Sequence, residues 1–391
     1  MTPLRIVHIC LCGPVTDGWT YQDNLLPKHH RLLGHDVSVI TSQWIRSTDG
    51  RLVKTDRTAY DNADGVRMIR LAIRGNRSPQ YKFRRFAGLR AALEAEQPDL
   101  LFIHNVAFAD TDVIVRYLRT HPDVRVLADN HSDFSNSARG PLSRRILHGV
   151  IWRHCAQRLL PYTAKFYGVL PARVDFLAEQ YGIPRERCAL LPLGADDGPA
   201  EEAARTQAGA ALRAEYGIAP EEFLVVTGGK IDSAKRQTLL LMEAVVRLPG
   251  VRLLIFGPVD PALRDAFDAR LAAGGGAVLH TGWIAPEATY AHLAAADLAV
   301  FPGRHSALWE QAAGQGIPLL CRYWEGTTHV NAGGNARFLT RDSADEMAGV
   351  IGLLSGRGPE YRAMRQAAER CRTRFLYSGI AAQTLRDIGL F

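Results

Sequence analysis

The strongest constraint on this chain is a pattern that occurs twice: short, wholly apolar runs separated by segments with helical spacing. In the first series LRIVHICL reads as a buried strand and GPVTDGWTYQ as a glycine-containing loop. DNLLPKHHRLLGH then carries Leu25, Leu26, Leu32 and Leu33 on a helix that Gly34 ends. DVSVITS, DLLFIHN (99–105) and VRVLADNHS (124–132) continue as strands, with VIVRYLRTH as the helix between the last two. A second series runs FLVVTGG (223–229), VRLLIFG (251–257), AVLHTGW (277–283), DLAVFPG (297–303) and IPLLCR (317–322), with helical segments such as RQTLLLMEAVVRL and PEATYAHLAAA between. Runs that are apolar throughout belong to strands buried on both faces, as in a parallel sheet covered by helices. The expected fold is therefore α/β: two Rossmann-like, doubly wound domains facing across a cleft at the carboxyl ends of their strands.

A chain of 391 residues exceeds one ordinary core and suits two. The pattern pauses at CALLPLGADDGPAEEAA, which reads as a linker, giving domains of residues 1–197 and 198–375. The closing YSGIAAQTLRDIGLF reads as an amphipathic helix, within residues 376–391, that packs back on the first domain. No stretch approaches the roughly 20 apolar residues of a membrane span, and the N-terminal run suits a first strand better than a signal peptide. Cys10, Cys12, Cys155, Cys188, Cys321 and Cys371 are scattered through apolar runs without a CxxC pair. That pattern favours reduced thiols of a cytoplasmic protein over disulfides or zinc.

Two segments carry chemistry. In VVTGGKIDSAKRQ (225–237) a strand runs into Gly228 and Gly229, with Lys230 next and Lys235 at the start of the following helix. Glycines admit close approach of backbone to a ligand, and lysines at a strand end can neutralise a diphosphate leaving group. In FPGRHSALWEQAAGQGIPLLC (301–321) a strand ends at Pro302-Gly303, and a short loop carries Arg304, His305 and Ser306. Free N–H groups from Ser306 to Trp309, Ala307 among them, would suit a diphosphate, and Glu310 could accept from two ribose hydroxyls. The plain alternative makes Ser306 an ordinary helix cap and Glu310 a solvated residue. GxGxxG is absent, which argues against a dehydrogenase.

Together these segments resemble the second domain of GT-B-fold glycosyltransferases, most closely the retaining glycosyltransferase family 4. GPVTDGWTYQDNLLPKHHRLLGHDVSVITS is similar to the family's opening glycine loop, first helix and GH-x-V strand. DLLFIHN and VLADNHSDF resemble its histidine-bearing strand ends, and ALLPLGAD its interdomain segment. HTGWI resembles its GWV loop, and EQAAGQGIPLLC its EAMACGLPVVA segment.

The resemblance implies a metal-independent, hexosyltransferase-like enzyme that retains anomeric configuration, with no cofactor beyond the nucleotide-sugar co-substrate. It implies that Lys230 and Lys235 bind the donor diphosphate beside Gly229, His305, Ser306 and Ala307. Glu310 would hold the ribose, and the backbone around Gly282 and Trp283 would contact the base. His131 would lie beside the transferred sugar, with Asp17, Gly18 and His104 lining the acceptor side. His131 and Lys235 are the catalytic assignments, and no metal ligand is implied. One departure is plain: the family pairs two glutamates, and here only the second is present, as Glu310, with Pro302 eight residues before it. His305 and Ser306 are placed to fill the space over the sugar and phosphates. A GT-B-fold nucleotide-sugar epimerase and an inactive nucleotide-sugar-binding subunit are the alternatives.

The net charge of +7 falls entirely in the first half: residues 1–197 hold 27 basic against 20 acidic side chains, and the remainder 20 of each. RGNRSPQYKFRRFAGLR (74–90) sets six cations, Arg74, Arg77, Lys82, Arg84, Arg85 and Arg90, beside Tyr81, Phe83 and Phe86. RRILHGVIWRHCAQRLLPYTAKFYG (144–168) is a second basic-aromatic stretch, with a core helix as its plain alternative. Cations beside rings suit an anionic membrane surface. The expected acceptor is thus a sugar or lipid-linked glycan in polysaccharide or glycolipid biosynthesis, at the inner face of the membrane. No nucleic-acid-binding module is present.

Overall fold

The computed structural model describes residues 2–47 and 50–390. The chain divides into two compact units, the first taking in residues up to Pro192 and those from Ser378 onward, the second Leu193–Tyr377. Ten strands belong to the first: β1 (Arg5–Cys10), β2 (Asp36–Ser42), β3 (Trp44–Arg46), β4 (Leu52–Lys54), β5 (Ala59–Asp61), β6 (Arg67–Leu71), β7 (Leu100–Ile103), β8 (Arg125–Asn130), β9 (Thr163–Gly168) and β10 (Cys188–Leu190). Eight of them form one sheet in the order β10-β9-β8-β7-β1-β2-β6-β5, parallel except where β5 meets β6. The other two, β3 and β4, pair as a small antiparallel ribbon. The second unit holds β11 (Phe223–Gly228), β12 (Val251–Phe256), β13 (Val278–Gly282), β14 (Leu298–Phe301), β15 (Leu319–Arg322) and β16 (Ala336–Leu339). They form a wholly parallel sheet in the order β13-β12-β11-β14-β15-β16. Both units are doubly wound, as the apolar runs predict.

The reason is visible in how the runs are shared between cores. Along β11, Phe223 and Val225 face one apolar cluster with Leu253, Ile255 and Val300, while Leu224 and Val226 face the other with Leu254, Ala299 and Trp309. Successive side chains of a strand point to opposite faces. A strand between two helical layers must therefore be apolar at every position. The same holds in β7, where Leu100, Leu101, Phe102 and Ile103 are all fully buried.

The stretch expected to be a linker does contain the change from one unit to the other, between Pro192 and Leu193, but it is structured on both sides of that point. Cys188–Leu190 pairs with β9 as an edge strand, and Asp197–Arg205 is a helix with Asp197 in its first turn and Ala200 and Ala203 buried. Acid, Gly and Pro there mark a helix start, because Pro199 falls in the first turn, where the missing N–H costs nothing. The stretch 144–168 is mostly helical too: a π-helix, Ser143–Trp152, runs into the α-helix Arg153–Leu159 before β9 begins. The final helix, Tyr377–Arg386, carries the chain into the first unit. There Gln383 Nε2 donates to Leu190 O at 3.2 Å, and the Tyr167 hydroxyl donates to Asp387 at 2.7 Å.

In each unit the strand order reverses at one point, between β1 and β7 and between β11 and β14. The loops leaving those strands diverge there and open a crevice at the carboxyl edge of the sheet. In the second unit that edge is built from backbone. Gly257, directly after β12, has φ +113°, and a methyl group on it would meet the Gly229 carbonyl oxygen at 2.3 Å. Gly257→Ala should therefore lower stability by about 2 kcal/mol or more. Gly282→Ala, at φ +72° with open space around it, should cost only about 1 kcal/mol. Thermal or urea unfolding of the two variants checks the ranking, and equal costs would refute it.

Candidate active site

Gly229 follows β11 at φ +92°, and a side chain there would meet Lys235 Nζ at 2.7 Å. The missing side chain makes room for that ammonium. Lys235 ends a short 3-10 turn, Ser233–Lys235, whose cap is the Asp232 carboxylate accepting from Ala234 N at 3.0 Å. Its Nζ donates, over long contacts of 3.4 Å each, to Gly228 O and to Ser306 Oγ. The loop after β14 folds onto this turn. Arg304 N donates to Ala234 O at 3.1 Å, and a methyl group on Gly303 would press against Lys235 Cα at 2.9 Å. Burial lowers the Lys235 pKa, opposed by Asp232. The two segments singled out from sequence thus meet, at Lys235 and Ser306.

Lys230 does not join them. It is exposed and lies 3.6 Å from Asp260 and 4.0 Å from Asp232. The helix after Ser306 also differs from expectation. It spans Leu308–Gly314 with Ala307 at the cap position, so Ser306 is not the cap, and the Trp309 N–H donates to Ser306 O at 3.0 Å rather than standing free. Gly282 and the exposed Trp283 lie at the end of the edge strand β13. Gly257 N donates to Gly282 O, and Gly257 packs against Gly229, so the backbone ends of β13, β12 and β11 line one edge.

Glu310 is fully buried, not a solvated helix residue. Its Oε1 accepts from His305 Nε2 and from His329 Nε2, each at 2.8 Å, while Oε2 is buried without a hydrogen-bond partner among the described residues. Burial alone would raise this carboxyl, but the two imidazoles bring it well below the ordinary range. Donor atoms of the three residues lie within 4.8 Å of one another, the spacing of a cation site, yet both imidazole N–H groups already engage the carboxylate. His329 lies beyond β15 and carries no sequence signal of its role: nothing in GTTHVN ties it to Glu310.

In the first unit the predicted residues fall into two groups. Asp17 accepts from Arg70 Nη2 at 3.0 Å and from the Tyr60 hydroxyl at 2.7 Å. Arg70 is buried and also holds Val15 O and Ser42 O, so Asp17 anchors the loop in which Gly18 (φ +78°) turns the chain. His104, just after β7, and His131, just after β8, come together instead on Asp129. Asp129 Oδ2 lies 3.1 Å from His104 Nδ1 and 3.3 Å from the half-exposed His131 Nε2, and Oδ1 accepts from Asn105 N at 2.7 Å. Asp129 is completely buried. Burial opposes its ionisation, but His131 and His104 hold its pKa well below the usual carboxylate range. Asp129 sits inside the run VRVLADN, where its position in a buried strand was the only available clue.

Residues 25–194 match the family described as a glycosyl transferase 4-like domain. No curated protein matches the chain in sequence. Among solved structures, sucrose-phosphate synthase from Thermosynechococcus elongatus is similar with a TM-score of 0.68 at 19% identity, over 97% of each chain. HepE from Anabaena in complex with UDP is similar with a TM-score of 0.68 at 15% identity, over 99% of this chain and 100% of that one. A UDP-GlcNAc 2-epimerase from Neisseria meningitidis, bound to UDP-GlcNAc, gives a TM-score of 0.62 at 12% identity, over 98% and 99%. The fold is thus the GT-B fold, with two Rossmann-like units. Within that fold, the stretch that matches the glycosyl transferase 4-like domain falls almost wholly in the first unit, in keeping with glycosyltransferase family 4.

The Glu310 cluster predicts acid sensitivity. Because its folded pKa lies below the unfolded value, its contribution is complete above about pH 5 and is lost as pH falls through the unfolded value, about 4.3, toward the folded one. Glu310→Gln should lower the melting temperature at pH 7 and shrink the difference in melting between pH 7 and pH 4. An unchanged difference would contradict the assigned shift.

Proposed function

We propose that the chain transfers a sugar from a nucleotide diphosphate-sugar to an acceptor, with retention at the anomeric carbon and without a divalent metal. The observation that carries this reading is the Lys235 ammonium, half-buried at the switch point of the second sheet between Gly229 and Ser306. An ammonium in a partly desolvated pocket interacts with a leaving diphosphate more strongly than one in water. Lys235 takes the electrostatic role a metal would otherwise fill. The buried, unpaired Oε2 of Glu310 is an acceptor for a ribose hydroxyl once the loop bearing His305 gives way, and the glycine edge from Gly229 to Gly282 lets a flat base approach backbone. UDP in HepE, and UDP-GlcNAc in the epimerase, are ligands of the corresponding kind.

No side chain is needed as nucleophile. The acceptor hydroxyl attacks the anomeric carbon on the face the diphosphate leaves, the glycosidic bond to phosphate breaks, and the departing phosphate oxygen takes the hydroxyl proton. His131 lies beside the transferred sugar, and Lys230, at the rim, adds attraction for the donor.

The acceptor reading keeps the membrane but moves the surface that meets it. Of the cations in 74–90, Arg84 is engaged with Leu11 O and Tyr81 O, Arg85 with Asp110 and Asp112, and Arg90 with Glu94. Those cations hold the fold. The better surface is the π-helix, where Leu142, Ile146 and Val150 are 72%, 51% and 62% exposed, beside a groove of about 450 Å³ lined by Lys82, Phe83, Leu147 and Ile151. Exposed Arg144 and Arg145 flank it. An apolar stripe with flanking cations suits an anionic bilayer at the cytoplasmic face and a lipid-linked acceptor in glycolipid or polysaccharide assembly. No helix among the described residues is long and apolar enough to cross a membrane.

Two experiments test this. With radiolabelled nucleotide-sugars, turnover should persist in EDTA and fall about 100-fold or more in Lys235→Ala. Lys230→Ala should lose less than Lys235→Ala. Full activity of Lys235→Ala would remove the assignment, and an epimerised nucleotide-sugar without transfer would favour the epimerase. For the membrane, Ile146→Asp with Val150→Asp should abolish pelleting with anionic liposomes at unchanged melting temperature. Unaltered pelleting would discard this face.

A further inference from the structure

Beneath His131 lies a row of buried imidazoles that the transfer reaction as described does not use. His104 Nε2 lies 2.9 Å from His8 Nδ1, His8 Nε2 lies 3.0 Å from His30 Nδ1, and His30 Nε2 lies 2.8 Å from Thr384 Oγ1. All four residues are at most 3% exposed. They come from β1, the helix Gln22–Leu32, the end of β7, and the final helix Tyr377–Arg386.

The direction of this chain is set at its far end. The single hydroxyl proton of Thr384 goes to Ala381 O, at 2.7 Å. Thr384 Oγ1 can then only accept from His30, so His30 carries its proton on Nε2. A neutral imidazole has one N–H, so His30 Nδ1 is an acceptor, and His8 must donate to it from Nε2. His8 Nδ1 is then bare and accepts from His104 Nε2–H. The other nitrogen of His104, Nδ1, lies 3.2 Å from Asp23 and 3.1 Å from Asp129. Two carboxylates at that distance require a proton there as well.

We infer that Thr384, acting through His30 and His8, holds His104 as the doubly protonated imidazolium, and so sets the charge and tautomer of the site at His131. With His104 charged, donating from Nε2 to His8 and holding its Nδ1 3.1 Å from Asp129 as an ion pair rather than a hydrogen bond, Asp129 stays ionised and faces His131 Nε2. His131 therefore keeps its proton on Nε2 and presents Nδ1 as an acceptor for a substrate hydroxyl. His104, His8, His30 and Thr384 are positioning residues in this arrangement, and their importance for transfer rests on the role proposed for His131. The buried neighbours His8, His30 and Cys10 agree. Burial lowers the pKa of His8, and takes His30 down to about 3, leaving both neutral. Burial also opposes protonation of His104, but Cys10, Asp129 and Asp23 overcome it and raise its pKa well above the ordinary value. Cys10, on β1 beside His104, is itself pushed up to about 11 by burial and remains a thiol. The cation leaves the two carboxylates with one uncompensated charge between them instead of two, which lowers the cost of burying Asp129.

The test reads protons directly in the full chain. Histidine-15N NMR at pH 7 should show His104 as an imidazolium whose signals do not titrate between pH 6 and 9. It should also show His8 and His30 as neutral Nε2–H tautomers, with assignments from single His→Gln variants. Thr384→Val removes the fixed acceptor, so the chain can reverse and His104 should begin to titrate inside that range. Thr384→Ser keeps the hydroxyl and should restore the wild-type pattern. Where transfer is measured, Thr384→Val should show an added ionisation, kcat/KM falling about tenfold per pH unit above it, absent from the serine variant. A neutral His104 in the wild-type protein overturns the inference whether or not Thr384→Val folds. So does a His104 that stays charged in a folded Thr384→Val. The NMR pattern does not depend on turnover, so a failure of the transferase reading would show as absent transfer with this pattern intact.

Discussion

An ionised carboxylate in a dry interior costs several kcal/mol unless it is paired and hydrogen-bonded, and this protein contains that situation twice. In the first unit Asp129 lies between His104 and His131. In the second, Glu310 lies between His305 and His329. Each carboxylate sits near the carboxyl edge of a parallel sheet, and each keeps its charge because two imidazoles face it. Much of the geometry at both sites follows from that requirement. His131 is oriented because Asp129 needs it, and the loop bearing His305 is tied down by Glu310. The residues expected to touch a sugar or a ribose are thereby fixed before any ligand arrives, and such preorganisation is what electrostatic catalysis exploits.

The second constraint is steric. Gly229, Gly257 and Gly303 bring three backbone segments within distances that a single methyl group would forbid. Through that crowding Lys235 is pressed into a half-buried position over Gly228 and against Ser306. The same lysine on an open strand end would be solvated like Lys230, which is exposed beside Asp260. Two lysines five residues apart thus have different electrostatic strength, and the cause is packing rather than residue type.

Charge by itself was a poor guide to surface. The first half holds the whole net charge, yet Arg70 is buried on Asp17 and Arg84 on backbone carbonyls. An arginine beside a free carbonyl or an aspartate becomes structure, because its planar fork satisfies several acceptors at once. The cations beside an exposed apolar stripe are instead those at the π-helix, where Leu142, Ile146 and Val150 stand out of the surface.

The sequence alone marked β1, β2, β7 and β8 of the first sheet and β11 to β15 of the second, since a strand covered on both faces has to be apolar at every position. The shorter or more polar β5, β6, β9, β10 and β16 escaped it. It also pointed to Lys235, Ser306, Glu310, His104 and His131 as residues of interest, because their loops leave those strands. It placed the change of unit within 188–204, but not the edge strand and the helix start on either side of it. What only the tertiary structure decided is which charge faces which. His30 and Thr384 are 354 positions apart, and His305 after β14 and His329 beyond β15 both reach Glu310. Such pairings depend on distances of about 3 Å between side chains brought together by the sheet order. No local pattern of residues encodes them, because the physical partner is chosen by the fold after the chain has closed.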